Sequence, residues 1–378
     1  MTLIKCDKLD LAPAAAPCGC GMNHAVPARG ALSLPRRKLL WGSAAGVLAA
    51  GVLSTSRSAD AQTTASGAGK AADRIDVHHH YTSPALLAMM KGRRTGQVFN
   101  EGWTLQKSLD AMDAAGIKTA VVSTSDPGVF FGDYDQARWL ARNCNEYQAK
   151  MVADNPGRFG MFVTLPMPDV DNTLAEIAYG LDVLKADGVG FMTSYGTQYL
   201  GDPAFTPVWE ELNRRKAVVF VHPLEPACCT NVVPNVPDVV VEYGNETSRT
   251  IASLLFSGTT AKFPNIRFIF SHGGGTVPYL ITRFQRAYAG SPQMMQLSPG
   301  GAVPAIRKLY FDTAMVWNPD SLAALTRLMP TNHILLGTDF PAGSPILTVK
   351  GLKDFGLSPA ALRAIERDNA ISLMPTVA

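Results

Sequence analysis

The stretch Arg74-Ile75-Asp76-Val77-His78-His79-His80 is a short apolar strand that runs into three consecutive histidines. In a doubly wound open sheet, a glycine-rich nucleotide loop is expected directly after the first strand. Histidines at this place instead favour a parallel barrel, which carries its chemistry at the carboxyl ends of its strands. Because side chains along a strand alternate in direction, His78 and His80 share one face, whereas His79 points away.

The rest of the chain repeats the same unit, a short β-branched or apolar run followed by a longer helical pattern. The predicted strands are Arg74–His80, Lys118–Ser123, Arg158–Thr164, Gly188–Thr193, Ala217–His222, Ile266–His272, Lys308–Asp312 and His333–Asp339. Eight such units over about 300 residues match a (β/α)8 barrel with insertions. We therefore predict an α/β protein with a (β/α)8 TIM barrel at residues 73–378, without a second folded domain.

Residues 1–72 differ from the barrel because they are rich in Ala, Gly, Ser and Pro and have no amphipathic period. Paired arginines in Pro35-Arg36-Arg37-Lys38 precede an apolar run from Trp41 to Leu53, and Ala59-Asp60-Ala61 offers small residues to a signal peptidase. The apolar run has about 13 residues, fewer than the roughly 20 of a spanning helix. We expect a disordered twin-arginine signal segment cleaved near Gln62, a periplasmic or secreted protein, and no stable membrane anchor after cleavage.

The composition limits the kinds of partner that the chain is expected to bind. Its 378 residues are 47% hydrophobic and 17% charged, which is typical of a globular protein with a sizeable core. The net charge of +3 is scattered and forms no basic stripe, which argues against a nucleic-acid partner. Six cysteines in a chain of this length do not make a disulfide framework, and only the adjacent Cys228 and Cys229 are unusual. We expect a small-molecule partner.

Metal-binding residue types fall at the ends of three predicted strands. His78 and His80 close the first strand, His222 ends an apolar run in the fifth, and Asp339 ends the eighth. A lone histidine at a strand end is usually a packing accident, but independent placement at three strand ends makes packing a poor explanation. Three neutral imidazoles and a carboxylate suit one divalent ion, zinc first and manganese or iron as alternatives, with a position left open for water or substrate.

The sixth predicted strand ends in His272, which is followed by Gly273-Gly274-Gly275. The glycines keep the backbone thin, which suits close approach of a substrate to this histidine. His272 is either a further metal ligand or an acid/base. We favour the acid/base role, because the other four residues already supply the protein's share of an open metal site. Asp339 is the second candidate for proton transfer, and the residues alone do not choose between the two.

These strand-end motifs resemble the family-two amidohydrolases, particularly their non-oxidative decarboxylase branch. That branch includes α-amino-β-carboxymuconate-ε-semialdehyde decarboxylase, γ-resorcylate decarboxylase and 6-methylsalicylate decarboxylase. The resemblance runs in order through nearly all of residues 73–372 and is carried by Ile75–His80, Thr164–Met167, Phe220–Pro223, Ser271–Tyr279, Phe311–Ala314 and Leu336–Pro341.

The resemblance implies a role for each matched residue. His78, His80, His222 and Asp339 are expected on the metal, and His272 is expected as the acid/base. Arg283, one helix beyond His272, is implied to bind a substrate carboxylate in the site of the neighbouring subunit. A homodimer follows from that arrangement.

One departure from the family pattern concerns the substrate. The semialdehyde decarboxylase has an arginine shortly before the tryptophan that corresponds to Trp103, whereas this chain has Val98-Phe99-Asn100-Glu101. Without that arginine to bind a carboxylate, we expect an aromatic substrate with less charge than that of the semialdehyde decarboxylase. The aromatic residues expected to line its site, each of which alone is more often ordinary packing, are Phe99, Phe130, Phe131, Tyr195 and Trp317.

Three different functions are compatible with this set of residues. The first is a carboxy-lyase that removes carbon dioxide from a small, hydroxylated aromatic acid. The second is a periplasmic metal-dependent hydrolase of an ester, lactone or amide, and export favours it because many decarboxylase relatives act inside the cell. The third is a catalytically idle barrel that binds a metal or ligand, which the complete ligand set disfavours. The decarboxylase is the leading expectation.

Overall fold

The computed structural model describes residues 73–93 and 101–378; the predicted signal segment and Phe99 lie outside the described residues. Within the described residues, eight parallel strands form one sheet in chain order. Their bounds are β1 Arg74–His80, β2 Ile117–Ser123, β3 Phe159–Thr164, β4 Gly188–Met192, β5 Val218–His222, β6 Arg267–Phe270, β7 Tyr310–Asp312 and β8 Ile334–Leu335.

Backbone hydrogen bonds close this sheet into a barrel. The amide of Val77 donates to the carbonyl of Leu336 at 2.9 Å, and the amide of His80 donates to the carbonyl of Phe340 at 2.7 Å. The first strand therefore pairs with the segment that directly follows the last one. The predicted (β/α)8 barrel is confirmed.

Helices follow the strands and surround the barrel. In the described part of the chain they are α1 Pro84–Met90, α2 Leu105–Ala115, α3 Tyr134–Asp154, α4 Val170–Ala178, α5 Thr206–Arg215, α6 Glu242–Phe256, α7 Thr259–Lys262, α8 Val277–Ala289, α9 Pro292–Leu297, α10 Ala302–Ile306, α11 Pro319–Leu328, α12 Pro345–Asp354, α13 Pro359–Arg363 and α14 Asn369–Leu373. None of the helices described here has the length and apolar character that crossing a bilayer requires.

Apolar side chains fill the interior of the barrel towards the amino ends of its strands. Ile75, Phe162 and Phe220 are buried in one cluster together with Leu373 of the C-terminal helix. A separate, larger cluster lies between the barrel and its outer helices. Burial of this apolar surface is the main force that holds the strands in place. Polar side chains are concentrated at the opposite, carboxyl ends of the strands.

A β-bulge in β1 changes the simple alternation of its side chains. The register between β1 and β2 shifts between Asp76 and His79. Val77 belongs to the inner apolar cluster, and the ring of the next residue, His78, also lies 5.0 Å from the inner ring of Phe220. Two consecutive side chains therefore face inward, which a regular strand does not allow. Beyond the bulge the predicted alternation holds.

Two of the predicted strands end at least two residues earlier than the sequence indicates. The sixth strand ends at Phe270 and the eighth at Leu335, so His272 and Asp339 stand on turns beyond the strands. Their φ angles of 55° and 60° lie in the left-handed region, which no extended strand adopts. The prediction that these two residues are the last residues of strands was therefore wrong, although both lie at the expected end of the barrel. Apolar periodicity marks the run but does not report where the backbone turns.

Adjacent cysteines occupy the loop that follows β5. Cys228 and Cys229 are joined to each other by a disulfide. Cys144 of α3 is a buried free thiol. A bond between chain neighbours closes no long loop, so the expectation that cysteines do not build a disulfide framework holds for the described residues.

Candidate functional site

Four buried side chains meet at the carboxyl end of the barrel. One ligand atom from each of His78, His80, His222 and Asp339 can be chosen so that all four lie within 4.8 Å of one another. Oδ1 of Asp339 lies 3.1 Å from Nε2 of His78, 3.1 Å from Nε2 of His80 and 3.8 Å from Nε2 of His222. The structure thus brings together the four residues predicted as metal ligands.

The outer nitrogen of each imidazole fixes its tautomer. Nδ1 of His78 lies 2.7 Å from Oδ2 of Asp312, and Nδ1 of His222 lies 2.7 Å from the carbonyl oxygen of Pro223. Nδ1 of His80 lies 3.3 Å from the carbonyl oxygen of Ser123. Carbonyl and carboxylate oxygens only accept, so each Nδ1 carries a hydrogen, and Nε2 is the atom that each imidazole turns to the centre and offers to a metal ion once it is deprotonated.

The centre of this cluster fits a cation. Nε2 of His78 and Nε2 of His80 lie 3.0 Å apart, so the pair needs either a proton between the two atoms or a cation bound to both. Nε2 of His222 and Oδ1 of Asp339 are buried, and no described residue gives either a hydrogen bond. Buried polar atoms without partners are costly, and a metal ion bound to all four would satisfy them together. This arrangement is a three-histidine, one-aspartate metal site.

Burial and the nearby carboxylates act differently on the three imidazoles. Burial lowers the pKa of His80 and of His222, which favours the neutral form that binds metals. Burial also acts to lower the pKa of His78, but the carboxylates of Asp312 and Asp339 outweigh it and raise the pKa to about 10. His78 therefore holds a second proton near neutral pH when no ion is bound, and a divalent cation at the centre would replace that proton in the same negative potential. Burial would raise the pKa of Asp339, yet the histidines around it hold that pKa well below its usual range.

Asp339 connects the metal cluster to His272. Its Oδ1 faces the ligand nitrogens, whereas its Oδ2 lies 3.3 Å from Nε2 of His272. His272 is buried except for about a tenth of its side chain, with 11% exposed. The centre of its ring lies 5.1 Å from that of His78 and 5.6 Å from that of His222, so it borders the cluster. The two residues predicted for proton transfer lie in direct contact.

The turn that carries His272 depends on glycines. Gly274 and Gly275 have φ angles of 76° and 64°. A side chain on Gly274 would collide with the ring of Phe311, and one on Gly275 would collide with the carbonyl of Gly244. The backbone amide of His272 also donates to Oδ1 of Asp312 at 2.9 Å. The glycines thus let the backbone pack closely against its neighbours and hold the imidazole beside Asp339.

His79 faces the opposite side of β1 and is fully paired. Its Nδ1 lies 3.1 Å from Oδ2 of Asp76, and its Nε2 lies 3.0 Å from Oγ of Ser108 on α2. Oδ1 of Asp76 also accepts hydrogen bonds from the amides of His78 and Thr338, each at 3.0 Å. The network therefore ties the backbone of two segments that bear metal ligands to the outer layer of the barrel.

A cavity of about 250 Å³ lies at the same end of the barrel, and we call it the side cavity. Its wall is formed mainly by segments at or after the carboxyl ends of β2 to β5. The residues that line it are Thr124, Asp126, Pro127, Gly128, Val129, Phe130, Thr164, Leu165, Gly190, Met192, Ser194, Tyr195, Gly196, Leu224, Glu225 and Ala227. Two of the predicted aromatic residues, Phe130 and Tyr195, belong to this wall.

The other predicted substrate-binding residues lie elsewhere. Phe131 packs in an outer apolar cluster, and the guanidinium of Arg93 lies 4.8 Å from the centre of its ring. Trp317 is half-buried and packs against Gly351 of α12. Arg283 is exposed on α8, and no described residue forms an ion pair with it. Of the aromatic residues predicted to bind the substrate, Phe130 and Tyr195 are the ones that line the side cavity in the described part of the chain.

Sequence reasoning missed three acids of the site. Asp312 contacts the imidazole of His78, and Asp76 accepts a hydrogen bond from the amide of Thr338, directly before Asp339. Asp126 lines the side cavity. Asp312 closes the apolar run Tyr310-Phe311, so the strand-end rule that found the ligands could also have found it. For Asp76, inside its strand, and Asp126, in a loop, the sequence offers no comparable signal.

Known proteins resemble this chain over the whole barrel. A family model described as amidohydrolase matches residues 75–375. Decarboxylase yanB of Aspergillus niger is 38% identical over 325 residues, covering 80% of this chain and 88% of the relative. A 6-methylsalicylic acid decarboxylase of Penicillium expansum is 36% identical over 311 residues, covering 80% and 96%. The crystal structure of an amidohydrolase II has a TM-score of 0.74 at 27% identity, covering 80% of this chain and 99% of that one.

Proposed function

Because the chain belongs to the amidohydrolase family, we propose that it is a metal-dependent lyase that removes carbon dioxide from a small, hydroxylated aromatic carboxylic acid. This proposal rests mainly on the two carboxylate oxygens of Asp339, which contact different groups. One of its oxygens faces the ligand cluster and the other faces His272. A site of this kind holds a carboxylic acid next to a group that can transfer a proton.

Decarboxylation without an oxidant requires a proton at the ring carbon that carries the carboxylate. A hydroxyl beside that carbon makes the ring electron-rich and lets the carbon accept the proton. The bond between the ring and the carboxyl carbon then breaks, its electron pair returns to the ring, and carbon dioxide leaves. When bound, the ion supplies a Lewis-acid centre for the negative charge of the substrate.

The residues of the chain supply the proton and the geometry. His272 and Asp339 share one hydrogen-bonding contact, so a proton on either can pass to the other within the pair. We propose that this pair protonates the ring carbon and regains its proton from water. Asp312 positions both a metal ligand and the acid/base. Its Oδ2 contacts the imidazole of His78, and its Oδ1 accepts a hydrogen bond from the backbone amide of His272.

The identity of the ion is a separate proposal. Three imidazoles and one carboxylate fit zinc, and they also fit manganese. We propose about one divalent ion per subunit, zinc first. Elemental analysis of the protein purified without added metal tests this, and a protein that contains manganese and regains activity with manganese alone would reverse the order.

Hydrolysis of an ester, lactone or amide is the weaker alternative. The same four residues would serve it, so the geometry alone does not separate the two reactions. The two curated relatives described above are named decarboxylases, which weighs against hydrolysis. An idle barrel is disfavoured by the complete ligand set and by the contact of Asp339 with His272.

The test is a screen of salicylate-type acids and of lactones with metal-loaded protein. We expect one carbon dioxide released per acid consumed, and in deuterated water one deuterium at the ring carbon that lost its carboxylate. A His272→Asn variant is the matched control for adventitious metal. Release of carboxylic acids from lactones or esters, with no carbon dioxide from any aromatic acid, would establish the hydrolase instead.

We also propose a homodimer in which Arg283 reaches the partner's site. Arg283 is exposed on α8, and Tyr279, one turn earlier, is 91% exposed, which is unusual for an aromatic side chain on a free surface. Mixing inactive Arg283→Ala and His272→Asn subunits should restore activity, because one site of each mixed dimer then has both residues. A monomer in sedimentation at assay concentration, or no recovery after subunit exchange, would reject this arrangement.

Export by the twin-arginine route is proposed from residues 1–72 alone. Replacement of both arginines, Arg36→Lys with Arg37→Lys, should leave the precursor in the cytoplasm with its barrel folded and metal-loaded. Cell fractionation measures the outcome, with the unaltered chain as control. Undiminished export of the double variant would point to another route.

A further inference from the structure

A disulfide joins the chain neighbours Cys228 and Cys229 in the loop that follows β5. A disulfide that closes a long loop stabilises the fold, but this one spans a single peptide bond, so that reason does not apply to it. Cys228 is exposed and Cys229 is half-buried. Exposed disulfides are the ones that thiol reductants reach, and labile or regulatory disulfides are of this kind. The contacts of the pair therefore show what its opening would change.

The first contact is with the wall of the side cavity. Ala227, which lines the cavity, directly precedes Cys228. The amide of Cys229 donates to the carbonyl of Pro226 at 3.1 Å, so the disulfide and a backbone hydrogen bond together hold the turn on which Ala227 stands. Opening the disulfide restores rotation about the side-chain bonds of both cysteines and frees the peptide between them, which loosens this part of the wall.

Arg249 of α6 connects the disulfide to a second part of the same wall. Its Nη2 lies 3.8 Å from Sγ of Cys229, and its Nη1 donates to Oε1 of Glu246 at 2.8 Å. Glu246 is fully buried, and its Oε2 accepts from the hydroxyl of Ser194 at 3.2 Å. Ser194 and its neighbour Tyr195 both line the side cavity. One guanidinium thus joins a sulfur of the disulfide to a buried carboxylate that holds the cavity wall.

The two sulfurs have different surroundings, which gives each a different role in thiol exchange. An attacking thiolate bonds to the sulfur that it can reach, and the other sulfur leaves with the electron pair. Cys228 is the more exposed of the two, so its sulfur is the point of attack. The sulfur of Cys229 faces the guanidinium of Arg249, which stabilises the negative charge of a leaving thiolate.

We infer that Cys228 and Cys229 form a thiol–disulfide exchange site for a dithiol reductant, and that its opening loosens the two parts of the side-cavity wall that it joins. One thiolate of the reductant attacks Sγ of Cys228, the bond between the two protein sulfurs breaks, and Sγ of Cys229 leaves as a thiolate beside Arg249. The second thiolate of the reductant then displaces Sγ of Cys228 from the mixed disulfide. The protein disulfide gains two electrons, the protons of the reductant pass through solvent to the cysteine sulfurs, and the reductant becomes a disulfide.

Mass spectrometry locates the exchange on the folded, metal-loaded full chain. Dithiothreitol without denaturant, followed by iodoacetamide, should label the tryptic fragment of residues 217–249, whose only cysteines are Cys228 and Cys229. The buried thiol of Cys144 should stay unlabelled, which shows that the protein remains folded. Arg249→Gln should slow the reduction by about 5-fold, because the leaving thiolate loses its counter-charge, and Arg249→Lys should restore the rate.

Hydrogen exchange measures the order of the wall without any ligand. The double variant, Cys228→Ser with Cys229→Ser, stands for the open form and needs no reductant. The amides of residues 224–231 and 194–201 should exchange at least about 5-fold faster in this variant than in the oxidised protein, because local opening costs less free energy there. Helix α3 is the internal control, and its amides should exchange equally fast in both proteins.

Calorimetry with salicylate extends the test to ligand binding. We expect the open form to bind salicylate about 3-fold more weakly or worse, because its wall is less preorganised, and this expectation rests on the proposed function. The oxidised chain, the same chain reduced and freed of dithiothreitol, and the double variant are compared at equal metal content. The double variant treated with dithiothreitol controls for loss of metal, and its affinity should not change.

The outcomes separate this inference from the proposed function. A fragment of residues 217–249 that stays unlabelled until Cys144 is labelled too would overturn the exchange site. Equal hydrogen exchange of the oxidised protein and the double variant in both segments would overturn the coupling to the cavity, whatever reaction the protein catalyses. Equal salicylate affinity of the two forms would overturn the effect on ligand binding. Labelling and faster exchange as expected, with no carbon dioxide from any aromatic acid, would support the inference and reject the decarboxylase.

Discussion

The two sides of strand β1 carry the same residue type in opposite chemical states. On the inner side, His78 and His80 turn their Nε2 atoms towards each other and towards Asp339. On the outer side, both nitrogens of His79 have ordinary partners, Asp76 and Ser108. Burial is the same on both sides, with His78 and His79 each 0% exposed.

The difference teaches that convergence of lone pairs, rather than burial or residue type, marks the functional histidines. A buried histidine with two complementary partners is already stable and has no need of a ligand. Buried histidines that present only acceptors to one point are stable when a cation occupies that point. Substitutions on the two sides should therefore have different consequences.

The largest effect is expected for the inner side. His78→Ala or His222→Ala should lower the metal content from about one ion per subunit to under ~0.1 and reduce turnover to background, because each removes a coordination bond. The matched change on the outer side, His79→Gln, should keep the metal, since the amide can still bond to Asp76 and Ser108. Elemental analysis and turnover on the same preparations measure this. Full metal content in both inner variants would break the comparison.

The next effect concerns His272, which borders the cluster without belonging to it. His272→Asn should retain close to the full complement of metal and measurable substrate affinity, while the turnover rate falls by about 10²-fold or more. Metal content, melting temperature and turnover are determined together. Near-normal turnover per folded molecule would reduce His272 to a structural residue, and loss of the metal would make it a ligand.

A smaller effect is expected one step further from the centre, at Asp312. Asp312→Asn leaves the shape of the side chain but removes the charge that holds Nδ1 of His78. Loss of such an outer partner typically costs about 10- to 100-fold in metal affinity or activity. Competition with a chelator gives the metal affinity. Asp320→Asn, which lies in the first turn of α11, serves as a control. Equal chelator sensitivity in both variants would contradict the role of Asp312.

The smallest effect is a change in thermal stability with pH at Asp126. The folded pKa of about 7 lies above the ordinary value of 3.8 because of burial and the neighbouring Glu225. Its stabilising contribution is therefore complete below about pH 4 and is lost as the pH rises through 7. The melting temperature of Asp126→Asn minus that of the original protein should increase by a few degrees from pH 5 to pH 8. Parallel curves over this range would show that the folded pKa is not raised.

Much of the site could be predicted because of a simple property of barrels. The carboxyl ends of parallel strands meet in space, so polar residues that close apolar runs converge even when hundreds of residues separate them. His78, His80 and His222 were found in this way, together with Asp339 near the end of the last run. The orientation of His79 away from them followed from the twofold repeat of a strand.

The remaining features depend on contacts between distant parts of the chain. Asp312 binds a residue 234 positions away, Thr338 binds Asp76 across 262 positions, and Tyr243 binds Asp126 across 117. No local pattern encodes which partner a buried acid will meet. Phe131 and Trp317 stay predictions as substrate-binding residues; the structure places Phe131 in an outer apolar cluster and Trp317 beside Gly351.

The sequence by itself determined the barrel, its eight strands and the four ligands, because apolar periodicity and strand-end polarity are local properties that burial makes obligatory. Only the tertiary structure decided the β-bulge that turns Val77 and His78 inward together, and the left-handed turns that carry His272 and Asp339. Only it showed that Asp339 divides its oxygens between the metal cluster and His272. These features lie where β8, the glycine turn after β6 and β1 pack against one another. Those three segments come together only in the folded protein.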